Sequence, residues 1–206
     1  MMLESIREFL YQLAISFDLP VLDWIQAHLQ SELMDTVMPI ITALGDAGIF
    51  WIVCSVLFTL HPKTRRMGIA MAIAMAMGLV ICNMILKPVV GRMRPYDYQI
   101  NILGKTWNDL LLAGKLLVET PHDFSFPSGH TIASFEACTV LMLGNKKLGI
   151  PATLLAILIA FSRMYLYVHY PTDVIASIIL GTLFGIIGYA IAKKIPMKRG
   201  KYEKVY

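Results

Sequence analysis

Twenty consecutive residues, Met67 to Leu86, pass without one charged side chain, and no other feature constrains the chain as strongly. A helix of that length rises about 30 Å, the thickness of the hydrocarbon core of a bilayer. Four further runs follow the same pattern. Val37 to Leu60 is interrupted only by Asp46, Thr131 to Gly144 only by Glu136, Leu148 to Val168 only by Arg163, and Val174 to Ala192 by no charge at all. Of the 206 residues 57% are hydrophobic and only 16% charged, against about 25% in soluble chains, too few to coat a soluble surface. The net charge of +4 is modest and the three cysteines, Cys54, Cys82 and Cys138, lie in apolar runs. These figures argue against a nucleic-acid partner, a disordered chain and a disulfide scaffold. The expected fold is all-α: an integral membrane helical bundle of five transmembrane helices.

Residues 1–36 differ from the rest. Glu4, Glu8, Asp18, Asp23, Glu32 and Asp35 interrupt them, while Ile6, Phe9, Leu10, Leu13 and Phe17 recur at helical spacing. That pattern predicts an amphipathic helix in the membrane interface, broken at Pro20, with a sixth, tilted span as the alternative. No basic n-region or small-residue cleavage site marks a signal peptide, so these residues are expected to stay in the protein. The chain thus divides into an interfacial segment 1–36, a membrane domain 37–192 and a basic tail 193–206. Lys63, Arg65, Arg66, Lys146, Lys147 and the tail's Lys193, Lys194, Lys198, Arg199, Lys201 and Lys204 fall on one side if all five spans cross. By the excess of cations that side is cytoplasmic, in a plasma membrane, with the C-terminus inside.

The opposite, extracytoplasmic side then receives the long connection from Lys87 to His130 and the turn around His169 to Asp173. Lys87 and Arg94 end the second run, Ser128, Gly129 and His130 open the third, and Arg163, His169 and Asp173 end the fourth. Cations at membrane depth cost about 2.5–3.5 kcal/mol each on insertion scales and persist where something anionic meets them. Snorkelling explains a lone interfacial cation but not three spaced groups. A phosphoryl group in transfer spreads negative charge over its equatorial oxygens, which a lysine point charge and two arginine forks match. Gly129 and Ser128 add backbone and hydroxyl donors at a helix N-terminus. His169 and Asp173, four apart, pair so that one imidazole nitrogen faces the carboxylate and the other faces phosphorus, and His130 is placed to act as general acid.

Written as motifs, Lys87 to Pro95 reads Lys-x6-Arg-Pro, residues 127–130 read Pro-Ser-Gly-His, and residues 162–173 read Ser-Arg-x5-His-x3-Asp. This resembles the three-part signature of the type-2 phosphatidic acid phosphatase superfamily, whose site is similar to that of vanadium-dependent haloperoxidases. The resemblance covers Asp46 to Ala192. It implies a lipid phosphatase in which His169 forms a phosphohistidine, Asp173 orients it, and His130 donates a proton and then activates water. Lys87, Arg94, Ser128, Gly129 and Arg163 would bind the phosphate, with no metal and no cofactor. By the same analogy the expected substrate is undecaprenyl diphosphate, with phosphatidate or phosphatidylglycerophosphate as alternative; the partners are that lipid and the bilayer. A lipid phosphotransferase and a non-enzymatic transporter or channel are rival readings.

Arg92 falls at a free position of the first motif, fits a rim cation as well as a phosphate ligand, and is left outside the predicted site. Asp46 and Glu136 are assigned structural support. His28, His61 and His122 are read as surface or loop residues. Tyr96, Tyr98, Trp107, Phe124, Phe126, Tyr165, Tyr167 and Tyr170 are expected to form an interfacial aromatic belt.

Overall fold

The computed structural model describes residues 2–112, 115 and 117–196. Among them every regular element is helical. The N-terminal segment forms α1 (Met2–Leu13), a π-helical turn (Ala14–Asp18) and α2 (Leu19–Leu29). A pair, α3 (Glu32–Ala43) and α4 (Ile49–Leu60), follows, joined at a 3-10 turn (Asp46–Gly48). Next come α5 (Arg65–Met77), which runs on as a π-helix (Gly78–Leu86) into the short α6 (Lys87–Val90), then α7 (Pro95–Asn101) and α8 (Trp107–Leu112). The bundle is completed by α9 (Gly129–Gly144), α10 (Lys146–Tyr165) and α11 (Pro171–Lys194).

All five predicted runs lie on helices. Four helical stretches, Glu32–Leu60, Arg65–Asn101, Lys146–Tyr165 and Pro171–Lys194, are long and apolar enough to cross a membrane. The third run is the exception in length: α9, at 16 residues, rises only about 24 Å. It is the central helix, flanked by α10, α11 and α5. Backbones approach closely there because glycines face it. A Cβ on Gly181 would lie 2.8 Å from the Ile132 carbonyl oxygen and one on Gly185 2.9 Å from that of Glu136, so α11 packs directly on the α9 backbone. On its other side a Cβ on Gly188 would lie 2.7 Å from the Ala70 carbonyl oxygen, where the alanine-rich face of α5 is fully buried.

Helix boundaries follow local chemistry. Ser31 caps α3, its hydroxyl accepting from the Met34 N–H at 3.3 Å. Pro95 and Pro171 stand at the first positions of α7 and α11, where a missing N–H costs nothing. Gly144 packs on Met67 and next to Tyr189, which brings the ends of α9 and α11 to the start of α5. The cations at 63–66, 146–147 and 193–194 therefore gather at one end of the bundle. Lys198, Arg199, Lys201 and Lys204 lie outside the described residues.

The N-terminal segment departs from expectation. The chain stays helical through Pro20, because the π-helical turn before it absorbs the missing N–H and Pro20 falls within the first turn of α2. The boundary drawn at residue 36 falls inside α3. Ile6, Phe9 and Phe17 do point away from the protein, while Ala14, Asp18, Leu19 and Leu22 are buried against it. The tyrosines are corrected as well. Tyr96, Tyr98, Tyr165, Tyr167 and Tyr170 form no belt; all are buried under α1, α2 and α3. Three of the hydroxyls have internal partners: Tyr96 donates to the Pro121 carbonyl, Tyr165 donates to Asp35, and Tyr167 meets Asp23 at 3.0 Å and Gln99 at 2.8 Å.

Candidate active site

At the end opposite the cations, the three motifs meet around one cleft of about 790 Å³. Lys87, Arg94, Gly129, His130, Arg163 and His169 all line it, so the two histidines face a common space. On its flank Ile52 and Val56 of α4 and Leu79 of the π-helix are exposed, and they continue the polar pocket into an apolar wall.

His169 is fixed by backbone and charge together. It lies in the turn between α10 and α11, where the N–H groups of Val168 and His169 both donate to the Arg163 carbonyl at 3.2 Å. Arg94 Nη1 donates to the Val168 carbonyl at 2.7 Å and stands 3.1 Å from His169 Nε2. A guanidinium only donates, so Nε2 must carry the lone pair and Nδ1 the proton. Nδ1 in turn faces Asp173 Oδ2 at 3.7 Å, an ion-pair distance longer than a hydrogen bond. Burial, reinforced by Arg94, Arg163 and Lys87, pushes the imidazole well below its ordinary pKa and keeps it neutral.

Asp173 is held from three sides. Its Oδ2 accepts from Ser125 Oγ and, at 3.1 Å, from the Tyr170 N–H, which caps α11; its Oδ1 accepts from Arg92. Arg92 is therefore neither a rim cation nor a phosphate ligand. It is buried, stacked 4.0 Å over the Tyr170 ring, and bridges Asp173 to Asp18 of the N-terminal segment at 2.6 Å. Asp18, itself fully buried, also accepts from the Thr172 N–H at 2.9 Å and so reaches the first turn of α11. The segment outside the three motifs is thus wired to the aspartate of the third.

The cations form a cradle that a carboxylate occupies. Asp123, from the connection ahead of α9, pairs with Lys87 and with Arg94 Nη2, while its carbonyl accepts from Arg94 Nε at 2.7 Å. Partial burial pushes this carboxyl up, but the bonds from Lys87 and Arg94 prevail and hold it at about 2. Arg163 Nη1 donates to Thr42 Oγ1 of α3 at 2.6 Å, and its Nε has no hydrogen-bond partner among the described residues. Ser128 differs from expectation: its N–H donates to Ser177 Oγ at 2.8 Å, so that donor faces α11 rather than the cleft. Gly129 does line the cleft, against the Asn83 side chain.

His130 opens α9, with Nε2 2.7 Å from Asp46 Oδ1. Asp46, read from the sequence as structural support, faces a site residue directly. Asp18, Asp46, Asp123 and Ser125 all escaped sequence reasoning as site residues. Only Asp46 carried a signal, as an acid within an apolar run; the others reach the site through loops or through a segment remote in sequence. Among the described residues no three His, Cys, Asp or Glu side chains gather as a metal site.

The PAP2 superfamily profile matches residues 66–196. The chain belongs to that superfamily. An undecaprenyl-diphosphatase of Sulfolobus acidocaldarius is 32% identical over 150 residues, covering 72% of this chain and 66% of that protein. The undecaprenyl-diphosphatase BcrC of Bacillus subtilis is 26% identical over 159 residues, covering 76% and 74% of the two chains. Among solved structures, the PAP2-type phosphatidylglycerolphosphate phosphatase of Bacillus subtilis superposes with a TM-score of 0.64 at 24% identity over 94% of this chain and 97% of that one, which shows a shared fold. Of these three, the Sulfolobus alignment spans just under two thirds of its relative's length.

Proposed function

We propose that this chain is a membrane lipid phosphatase that cleaves a phosphate from undecaprenyl diphosphate through a phosphohistidine on His169. The observation that carries the reading is the placement of His169, whose Nε2 accepts from Arg94 beside a cleft that also holds three cations and a second imidazole; a phosphate that draws Arg94 onto its own oxygens frees that lone pair for attack. The Bacillus and Sulfolobus relatives support the polyprenyl diphosphate, and the apolar wall beside the cradle suits a lipid tail.

A phosphate entering the cleft displaces Asp123 from Lys87 and Arg94. Two unit charges about 4 Å apart attract by on the order of 4 kcal/mol at an effective dielectric of about 20, before the cost of desolvating them. In the first step Nε2 of His169 bonds to phosphorus, the bond from phosphorus to the leaving oxygen breaks, and that oxygen takes a proton from His130. Asp173 stabilises the positive charge arising on the His169 ring. In the second step His130 takes a proton from water, the water oxygen bonds to phosphorus, and the phosphorus–nitrogen bond breaks with its electron pair returning to Nε2. Lys87, Arg94 and Arg163 match the charge on the transferring group throughout. By the cation asymmetry the cleft faces the extracytoplasmic side.

The test is phosphate release by purified protein in detergent from undecaprenyl diphosphate, phosphatidate and phosphatidylglycerophosphate, together with acid-quench trapping of labelled phosphate. Fastest release from undecaprenyl diphosphate, with label that is trapped by the native chain and lost in His169→Ala, is expected. Preference for a glycerophospholipid would overturn the substrate, and release from none of them would overturn the function.

A further inference from the structure

We propose that Asp46 is a positioning residue for the proton-transfer group His130, forming a second His–Asp pair across the cleft from His169–Asp173. The proposal rests on the phosphatase reading above. Three contacts carry it, and all come from the short stretch that ends α3. Thr42 Oγ1 accepts from Arg163. Gly45 lies flat against the imidazole, since a Cβ there would sit 2.7 Å from His130 Cδ2. Asp46 Oδ1 stands 2.7 Å from His130 Nε2. The chain then kinks through two left-handed residues, Ala47 at φ 49° and Gly48 at φ 66°, before α4 begins. Ala47 in that region is costly for a residue with a side chain, and the kink sits directly after the Asp46 that meets α9. This stretch precedes residue 66, where the PAP2 profile begins.

The chemistry follows from the bond. A carboxylate only accepts, so Nε2 carries a hydrogen, and the nitrogen left to exchange a proton with the reacting group is Nδ1. Among the described residues nothing is bonded to Nδ1 of His130. When the leaving oxygen takes the Nδ1 proton, the imidazolium becomes neutral and the hydrogen on Nε2 stays with Asp46. When water attacks, the Nδ1 lone pair takes the water proton and the imidazolium forms again beside the carboxylate. The charged groups facing His130 are otherwise Arg163 of α10 and Arg94 ahead of α7, with His169 across the cleft. Burial and these two arginines hold the imidazole below its ordinary pKa, and the Asp46 carboxylate is the group that works against them in favour of the protonated state.

Asp46→Asn, Asp46→Ala and Asp46→Glu in the full chain test this against undecaprenyl diphosphate. Asp46 is exposed, so its replacement is not expected to impair folding. Asp46→Asn is expected to lower kcat about 10- to 100-fold with KM within twofold, and to move the alkaline limb of the kcat profile about one pH unit downward. Asp46→Glu should restore most of the rate, and Asp46→Ala should not. A second readout needs no turnover: the His130 imidazole, assigned by loss of its NMR signal in His130→Ala, should titrate about one unit lower in Asp46→Asn than in the native chain. Unchanged titration and an unmoved limb overturn the proposal. If the native chain releases no phosphate, the phosphatase reading fails, and the titration still decides whether Asp46 holds the His130 proton.

Discussion

The two imidazoles of the cleft stand in opposite surroundings. His169 is 1% exposed and Asp173 fully buried, behind Arg92, Ser125 and Asp18. The side chain of His130 keeps 18% of its exposure and Asp46 keeps 63%. The difference matches what the proposed mechanism asks of each group. A nucleophile has to stay neutral and point one lone pair in one direction, which burial and a rigid ion-pair network achieve together. A proton carrier must reload from water, which a sealed pair prevents. The buried side is therefore expected to tolerate almost no change, and the open side to respond in graded fashion to changes in charge.

The largest effect falls on the buried side. His169→Ala should cut phosphate release by about four orders of magnitude or more while the protein still inserts and elutes as the native chain does. Because its surroundings hold His169 well below its ordinary pKa, the acid limb of native activity should not appear between pH 7 and pH 6. An acid limb in that range, matched by an NMR titration of the His169 imidazole there, would reverse the assignment of a neutral nucleophile.

Arg92 comes next, and it sharpens the contrast between the two stations. Arg92→Ala leaves Asp18 and Asp173 buried without their shared partner, a change worth about 3–5 kcal/mol of stability. Adding Asp18→Asn removes one of the two stranded charges and should recover part of the thermal stability in detergent. Activity should stay low in the double variant, since Asp173 still lacks Arg92. If activity returns with stability, the Asp18–Arg92–Asp173 chain serves folding alone.

Legibility from sequence divides along the same line. Lys87, Arg94, His130, Arg163, His169 and Asp173 were readable because each lies at the end of an apolar run, where hydropathy makes a charge conspicuous. The helical spans were readable for the same reason. Arg92 was misjudged because its partners, Asp18 and Asp173, are 74 and 81 residues away, and no local pattern reports a pairing of that range. The five buried tyrosines looked interfacial because composition cannot show that α1 to α3 fold over them. Pro20 looked like a break because a π-helical turn, which accommodates a proline, has no sequence signature. Ser128 was expected to give its N–H to the cleft, and only the packing of α11, which brings Ser177 beneath it, diverts that donor.

Asp123 belongs to the open side and should give the smallest changes. It holds the two cations that a phosphate must win, so Asp123→Asn should lower KM and tighten inhibition by inorganic phosphate about fivefold, the effect of about 1 kcal/mol from a half-exposed ion pair. A raised KM would instead mean that Asp123 orients Lys87 and Arg94 for the substrate. Its pH signature has a definite sign. The folded carboxyl is held down at about 2, below its unfolded value near 4, so its contribution to stability is complete above about 4 and fades as pH falls through about 2. Thermal melts of the native chain and Asp123→Asn should therefore differ at neutral pH and converge toward pH 2. A gap that persists into that range would place the stabilisation in the backbone of the connection, where the Asp123 carbonyl meets Arg94 Nε, and not in the carboxylate.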